Sequence, residues 1–305
     1  MRKAFADTLQ CVASTDHKLV FVTGDLGFGV FDRFEATFGS RYVNVGVAEA
    51  QMIGFAAGMA KEGWHPVTYS IASFATARPF EQIRYCVSYP SLPVTLVGAG
   101  RGLTYSTSGI SHHALDDIAL MTALPHMTVV IPADPIEVEA LFPQVRALPG
   151  PAYFTVGRFG EPRCEGVEEP VLGRLRLIAN GERVAIICAG EILQEVMCAR
   201  ELLLAEGLTP VIFHNHTIKP LDTARLNEVA DQVQSILVVE EHLPHGGLWG
   251  AMAEWMIQRP SGIPMKRLGP PEAFCFGNLT IEEARNRMGY DAKGIAAACH
   301  VLWKS

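Results

Sequence analysis

Short apolar runs rich in β-branched residues alternate along this chain with longer stretches that read as helix. That alternation limits the possible fold more than any other feature. In the first half the strand-like runs are 19–23, 42–45, 66–69, 93–98 and 128–131, closed by 153–156. Between them the spacing predicts helices over 48–61, 79–85, 116–124 and 135–147. Runs of four to six apolar residues separated by helices imply a parallel sheet covered on both faces. The P-A-D-P sequence at 132–135 marks a strand end followed by a helix start, with Asp134 as N-cap and Pro135 at the first helical position.

The pattern breaks after Val156. Residues 157–180 carry Gly, Pro and many charges without sustained periodicity, and read as a linker or peripheral hairpin. Then the alternation restarts, with strands over 184–188, 210–215 and 235–240 and helices over 191–206, 222–231 and 248–257. The expected architecture is α/β, with two domains that are each a mainly parallel sheet covered by helices. Their bounds are 1–157 and 181–305, with a linker over 158–180. A length of 305 residues agrees, at about 100–200 residues per domain.

With 49% hydrophobic and 19% charged residues, general disorder is excluded. The net charge of −7 argues against a chain built to coat nucleic acid or an anionic membrane, so neither is expected as a partner. It does not argue against a phosphorylated substrate. Seven scattered cysteines with no C-x-x-C pair read as reduced core thiols of a cytoplasmic protein. The first residues lack the apolar stretch of a signal peptide, and the longest uncharged runs contain prolines and fall short of the ~20 residues of a spanning helix. A soluble, cytoplasmic protein is expected.

Residues 44–60 read N-V-G-V-A-E-A-Q-M-I-G-F-A-A-G-M-A, and from Ala48 onward only Glu49 and Gln51 are polar. A helix apolar on every face is a buried one, and its glycines allow close approach of a neighbouring backbone. Glu49 thus falls in the first turn of a buried helix, where an unpaired carboxylate is costly and its pKa rises unless a partner compensates. From the residues alone, a first-turn acid stabilised by the helix dipole is an equal alternative.

The segment closely resembles the N-x-G-[IV]-A-E-x-x-M-x-G-x-A-x-G-x-A stretch of the pyrimidine-binding domain of transketolases and related thiamine diphosphate enzymes. The resemblance implies that Glu49 hydrogen-bonds N1′ of the cofactor's aminopyrimidine and so sets the tautomer that activates it. The protein would tune the cofactor, and the cofactor would do the carbon chemistry. Residues 69–84, Y-S-I-A-S-F-A-T-A-R-P-F-E-Q-I-R, resemble the family's F-x-x-x-R-x-[YF]-[DE]-Q-[IV]-R segment. There Phe74 matches the aromatic that stacks on the pyrimidine. Many relatives have a second aromatic where this chain has Ile71, so Tyr69 is a further cofactor-binding candidate.

Residues 108–117, S-G-I-S-H-H-A-L-D-D, resemble the family's D-G-x-T-H-Q-x-x-[ED] loop. His112 then takes the position that hydrogen-bonds the ketose, His113 replaces a Gln, and Ser108 replaces an Asp that reads a substrate hydroxyl. The preceding G-A-G-R-G at 98–102 misses the dinucleotide fingerprint, because Leu103 stands where a third glycine is required. An upstream phosphate-binding His of many transketolases aligns with Gly100, leaving Arg101 beside it as a substrate candidate. Residues 153–158, Y-F-T-V-G-R, resemble the family's final strand, which assigns Arg158 to a substrate phosphate; a guanidinium forks onto two oxygens. An Arg tethering the linker is the alternative. Asp25 matches an acid that orders the cofactor loop or the subunit contact. In the second half, T-I-K-P-L-D at 217–222 and V-V-E-E-H-L-P-H-G-G at 238–247 resemble the family's C-terminal domain, where His242 and His245 are weaker site candidates. His214 and His216 lack zinc spacing.

No Gly-Asp-Gly occurs in the sequence, although family members ligate Mg²⁺ through that motif in a separate diphosphate-binding domain. The expectation is therefore a C-terminal subunit of a split transketolase-like enzyme, with no metal ligand on this chain. Thiamine diphosphate would sit between it and an N-terminal diphosphate-binding subunit that carries the Mg²⁺ ligands, in a heterotetramer built on a dimer of this chain. A ketose or ketose-phosphate donor would be cleaved at C2–C3 and its ketol unit passed to an aldehyde acceptor. A β subunit of a 2-oxoacid dehydrogenase E1 component, passing an acyl unit to lipoamide, stays open beside it, as does a non-catalytic scaffold.

Overall fold

The computed structural model describes residues 1–304. Its strands, in chain order, are β1 (Leu19–Thr23), β2 (Tyr42–Asn44), β3 (His65–Ile71), β4 (Thr95–Ala99), β5 (Thr128–Val130) and β6 (Ala152–Val156) in the first half. The second half supplies β7 (Arg176–Ala179), β8 (Val184–Ala189), β9 (Val211–His214), β10 (Thr217–Lys219), β11 (Ser235–Glu240) and β12 (Met265–Leu268). A seven-stranded sheet has the order β10-β5-β6-β4-β3-β1-β2, and a five-stranded sheet has the order β12-β11-β8-β9-β7. Every pairing is parallel except β10 with β5 and β7 with β9. The central strands β1, β4, β6, β8 and β11 are buried along their whole length, as a parallel sheet covered on both faces demands. The expected α/β architecture with two mainly parallel sheets is what the structure contains.

Some elements differ from the sequence reading. β7 lies inside the stretch read as linker, where it closes the second sheet through an antiparallel pairing with β9. β10 belongs in sequence to the second half, yet it pairs with β5 at the edge of the first sheet, Thr217 opposite Val130. The helix Arg2–Thr15, which no sustained pattern announces, docks by burying Phe5, Leu9 and Ala13, with Ala4, Ala6 and Val12 packed beside them. Helices Ile281–Met288 and Ala292–Trp303 close the chain. Asp134 is the N-cap expected, accepting the Glu137 N–H ahead of a helix over Pro135–Arg146.

The helix Glu49–Lys61 also departs from expectation. Met52, Ile53, Ala56, Ala57 and Ala60 are buried, but Ala50, Gly54 and Gly58 are exposed along one face, and a Cβ added to either glycine would meet nothing within 4 Å. The helix is apolar all round, and this chain covers only part of it.

One apolar cluster runs from Ile53 of the helix Glu49–Lys61 and Leu96 of the first sheet through Ile131 to Ile187 and Val238 of the second sheet and Leu248 of a helix upon it, so the two sheets share a core. Among the described residues no helix is long and apolar enough to cross a membrane.

Candidate active site

In the first sheet, β1 connects outward to β2 on one side, and the chain then returns to β3 on the other. The strand order therefore reverses between β1 and β3. A parallel sheet opens a crevice at such a point, beyond the carboxyl ends of its strands, and ligands bind there. The loops that follow β1, β3, β4 and β6 carry most of the candidates.

Glu49 begins its helix at this crevice and is 3% exposed. Its Oε1 accepts the Ser70 hydroxyl at 3.1 Å, and its Oε2 faces Arg78 Nη1 at 2.9 Å. Ser70 sits near the end of β3, so strand and helix meet at the carboxylate. The buried-acid reading of Glu49 therefore comes with partners that hold the charge. Arg78 lies four residues beyond Phe74, and its guanidinium stacks 3.8 Å from the Phe74 ring centroid. Phe74 also meets His112, edge-on at 4.9 Å between ring centroids. Carboxylate, guanidinium, phenyl ring and imidazole form one continuous row. Arg78 was present in the quoted motif without a role; the i, i+4 spacing from Phe74 is the signal that places it.

His112 Nδ1 pairs with Ser111 Oγ at 3.0 Å. Burial, followed by the charges of Arg78 and His113, lowers its pKa. It is neutral at neutral pH, so one ring nitrogen donates and the other accepts, which suits a sugar hydroxyl. His113 faces the Ser106 carbonyl at 3.2 Å, and Ser108 is exposed on the same loop.

Arg158 follows β6, exposed, with its guanidinium 4.5 Å from the Tyr105 ring centroid; Tyr105 in turn lies 5.9 Å from the His112 ring. Arg2 and Arg158 both act electrostatically on Tyr69 and on Tyr105. The two arginines line a cavity of about 480 Å³ together with Lys3, Arg33 and Asp7. Four cations line it against one carboxylate, Asp7, which Lys3 already holds. The sequence reading missed Arg2, because a basic residue near a chain start looks like a solvated one. Asp25, at φ +60, is pinned by Asn44, whose Nδ2 donates to its carboxylate at 2.9 Å while its Oδ1 accepts the Asp25 N–H at 3.0 Å. The same Oδ1 accepts the Gly46 N–H, so Asn44 ties the β1 loop to the segment leading into Glu49.

Four candidates are placed elsewhere. Tyr69 is 1% exposed among Phe5, Phe21 and Phe31, stacked on Phe5 at 6.0 Å. Side chains alternate along a strand, so Tyr69 faces away from the side on which Ser70 meets Glu49. It is core and not a stacking platform. Arg101 is 1% exposed and pairs with Asp117 through two contacts of 3.3 Å, while donating to the Glu241 carbonyl at 3.1 Å. Its guanidinium is spent on the contact between the halves and is closed to substrate. His242 is fully buried, with Nδ1 donating to the Leu243 carbonyl at 2.7 Å and Nε2 accepting the Ala119 N–H at 3.3 Å. His245 is exposed and faces Glu272 at 3.7 Å, in contact with neither Glu49 nor His112 among the described residues.

The buried histidines have a consequence for stability. Burial lowers both His216 and His242 to about 4. Between pH 6.5 and 4 the unfolded chain binds protons there that the folded chain does not, so stability falls as pH falls through that window. At pH 5 each site costs on the order of 2 kcal/mol relative to pH 7. Glu191, which burial raises to about 7, works in the opposite direction, so the histidine contribution is read from a variant: the urea midpoint of His242→Gln is expected to shift toward higher values between pH 7 and pH 5 relative to that of the wild type. The same pH dependence in both proteins would contradict it.

The arrangement fits the pyrimidine end of thiamine diphosphate. Glu49 presents a buried carboxylate whose two oxygens each have one protein partner, leaving lone pairs for a ring N–H. Phe74 offers an aromatic face beside it, half-buried at the mouth of the crevice. Among the described residues, no group of three or more His, Cys, Asp or Glu gathers as a metal site.

Comparison with known proteins agrees with this geometry. Residues 1–158 match the pyrimidine-binding domain of transketolase, and residues 173–295 match the transketolase C-terminal domain. The chain is 32% identical over 303 residues to the 6-deoxy-6-sulfo-D-fructose transketolase subunit SqwH of Clostridium sp. (strain MSTE9), covering 98% of this chain and 93% of that one. It is 31% identical over 298 residues to an apulose-4-phosphate transketolase subunit of Phocaeicola vulgatus, covering 96% and 94%. A solved split-gene transketolase, described as an inactive β4 tetramer, superposes with a TM-score of 0.88 at 29% identity over 99% of this chain and 97% of that one. The chain belongs to the transketolase family, spanning its pyrimidine-binding and C-terminal domains.

Proposed function

We propose that this chain is the cofactor-activating subunit of a split, thiamine diphosphate-dependent transketolase-like enzyme, which cleaves a ketose between C2 and C3 and hands the two-carbon ketol unit to an aldehyde. The observation that carries this reading is the buried Glu49 carboxylate in the crevice at the strand-order reversal, in one row with Phe74 and His112. When bound, thiamine diphosphate supplies the nucleophilic carbon and the electron sink for breaking the carbon–carbon bond. Glu49 holds a proton at N1′ of the aminopyrimidine, and Ser70 and Arg78 keep the carboxylate in place. Phe74 packs on the pyrimidine, adding about 0.5–1.5 kcal/mol beyond area burial. Asp25, fixed by Asn44, orders the loop beside the cofactor.

His112 hydrogen-bonds the hydroxyls next to the reacting carbonyl, and His113 holds the loop that carries it. Ser108, where relatives of the classical kind have Asp, offers a neutral partner to the sugar and shifts which hydroxyl configuration is preferred. Arg158 and Arg2 take the anionic end of the substrate. Relatives that are transketolase subunits for sulfonated or phosphorylated sugars support an anionic substrate here. The diphosphate and its Mg²⁺ belong to a partner subunit, and two copies of each chain complete a heterotetramer.

Two measurements test the reading. In the assembled enzyme, Arg158→Ala is expected to raise KM for a ketose phosphate by about 10–100-fold, the value of one charge-assisted contact. KM for the unphosphorylated ketose should stay within about twofold by the same reasoning. Equal effects on both would remove Arg158 from the substrate. Calorimetric titration should show weak thiamine diphosphate binding by this chain alone and tight, Mg²⁺-dependent binding after the partner is added. Tight Mg²⁺-dependent binding by this chain alone would refute the shared site.

A further inference from the structure

The exit of β11, in the C-terminal half, lands on the loop that carries His112. Glu241 is 2% exposed, and its Oε1 accepts the Leu103 N–H at 2.9 Å. Its Oε2 receives Arg285 Nε at 2.7 Å and the Tyr290 hydroxyl at 3.3 Å, and its own carbonyl receives Arg101. The loop is built around this carboxylate. Gly102 turns at φ +60, and a Cβ there would lie 2.3 Å from Glu241 Oε1, so no other residue fits beside it.

Gly102 is also where the loop closes. It exchanges two backbone hydrogen bonds with Ala114, at 3.0 and 2.9 Å, and the segment between them holds Tyr105, Ser108, His112 and His113. The returning limb is fastened to the same strand exit, because Leu243 N–H donates to the Leu115 carbonyl at 2.8 Å. Both limbs of the base are thus tied to residues 241–243, and His112 stands two residues from the closure. Burial alone would raise the Glu241 pKa, but Arg285 and the Leu103 N–H more than offset it, so the carboxylate is charged. A charged acceptor holds a backbone N–H more strongly than a neutral one.

We propose that Glu241 is a positioning residue of the active site: it clamps the base of the loop between Gly102 and Ala114 and thereby sets where His112 meets the substrate. The C-terminal half then does more than assemble the enzyme, since it supplies the anchor against which the substrate histidine is held. This rests on the assignment of His112 to the ketose.

The test is a double-mutant cycle in the complete enzyme, formed from the full chain, its partner subunit, thiamine diphosphate and Mg²⁺. The values of kcat and KM for the ketose donor are measured for Glu241→Gln, His112→Ala and the pair. Glu241→Gln is expected to lower kcat/KM by about tenfold, mainly through KM, and by less than about twofold when His112 is already Ala. Thiamine diphosphate affinity should not move. An equal loss in both backgrounds, or no loss at all, overturns the proposal. If His112→Ala alone leaves donor use unchanged, the assignment of His112 fails and the proposal falls with it. If His112→Ala is impaired and the cycle is additive, only the clamp fails. Should Glu241→Gln not assemble, Tyr290→Phe removes one donor to the same carboxylate. It is expected to show a smaller loss with the same dependence on His112, and additivity there would overturn the clamp equally.

Discussion

Glu49→Ala is expected to lower kcat of the assembled enzyme by about 10²–10⁴-fold, the usual span for losing a positioned proton-transfer group. Glu49→Gln should fall nearly as far, because an amide keeps the shape but cannot hold a proton at N1′ as a carboxylic acid does. Neither change should unfold the chain. Arg78, the partner left behind, is about half exposed and turns to water, and Ser70 keeps its hydroxyl beside the helix start. Unfolding midpoints within about 1 kcal/mol of wild type, alongside the collapse of kcat, would separate chemistry from stability. Retention of more than a tenth of the wild-type kcat in Glu49→Ala would sink the role of Glu49.

Asp117→Ala should act in the opposite manner, through stability. Asp117 is fully buried and accepts Arg101 at 3.3 Å and the Tyr153 hydroxyl at 2.8 Å. Removing the carboxylate leaves a buried guanidinium and a buried phenol without their acceptor, a change of about 3–5 kcal/mol. The pair replaced together, Asp117→Leu with Arg101→Met, should recover much of that loss, because no uncompensated charge remains. Chemical unfolding of the three variants checks it. A single-variant loss below about 1 kcal/mol would show that the buried Arg101–Asp117 pair does not stabilise the fold as described.

The sequence made some of this legible and hid the rest for identifiable reasons. Glu49 stood out because a helix apolar on every face leaves a first-turn acid no solvated side to occupy, and the structure buries it. The position of Arg158 was legible because it follows β6, whose carboxyl end lies on the same side of the sheet as those of β4, β3 and β1. Arg101 was misread because its partners, Asp117 and Glu241, lie 16 and 140 residues away, and nothing local records their approach. Tyr69 is set aside once the Ser70–Glu49 contact is known. It neighbours Ser70 on one strand, so if Ser70 serves the Glu49 side, Tyr69 must serve the other. β10 and β7 escaped because edge pairings of three or four residues carry almost no periodic signal, and β10 crosses to the sheet of the other half. The exposed stripe of Ala50, Gly54 and Gly58 shows the limit of reading burial from composition: apolarity predicts that a face is covered, and not by which chain.

Transfer of an intact two-carbon unit tests the central claim most directly. The chain is mixed with its diphosphate-binding partner, thiamine diphosphate, Mg²⁺, a ketose labelled with ¹³C at C1 and C2, and an aldehyde acceptor, and the label is followed by NMR. The expected result is that both labelled carbons arrive together on the acceptor, still bonded to each other. Transfer should occur only when both subunits are present, and it should be lost with Glu49→Ala. Failure of the complete mixture to transfer the pair from any ketose, while it releases CO₂ from pyruvate, would contradict the account.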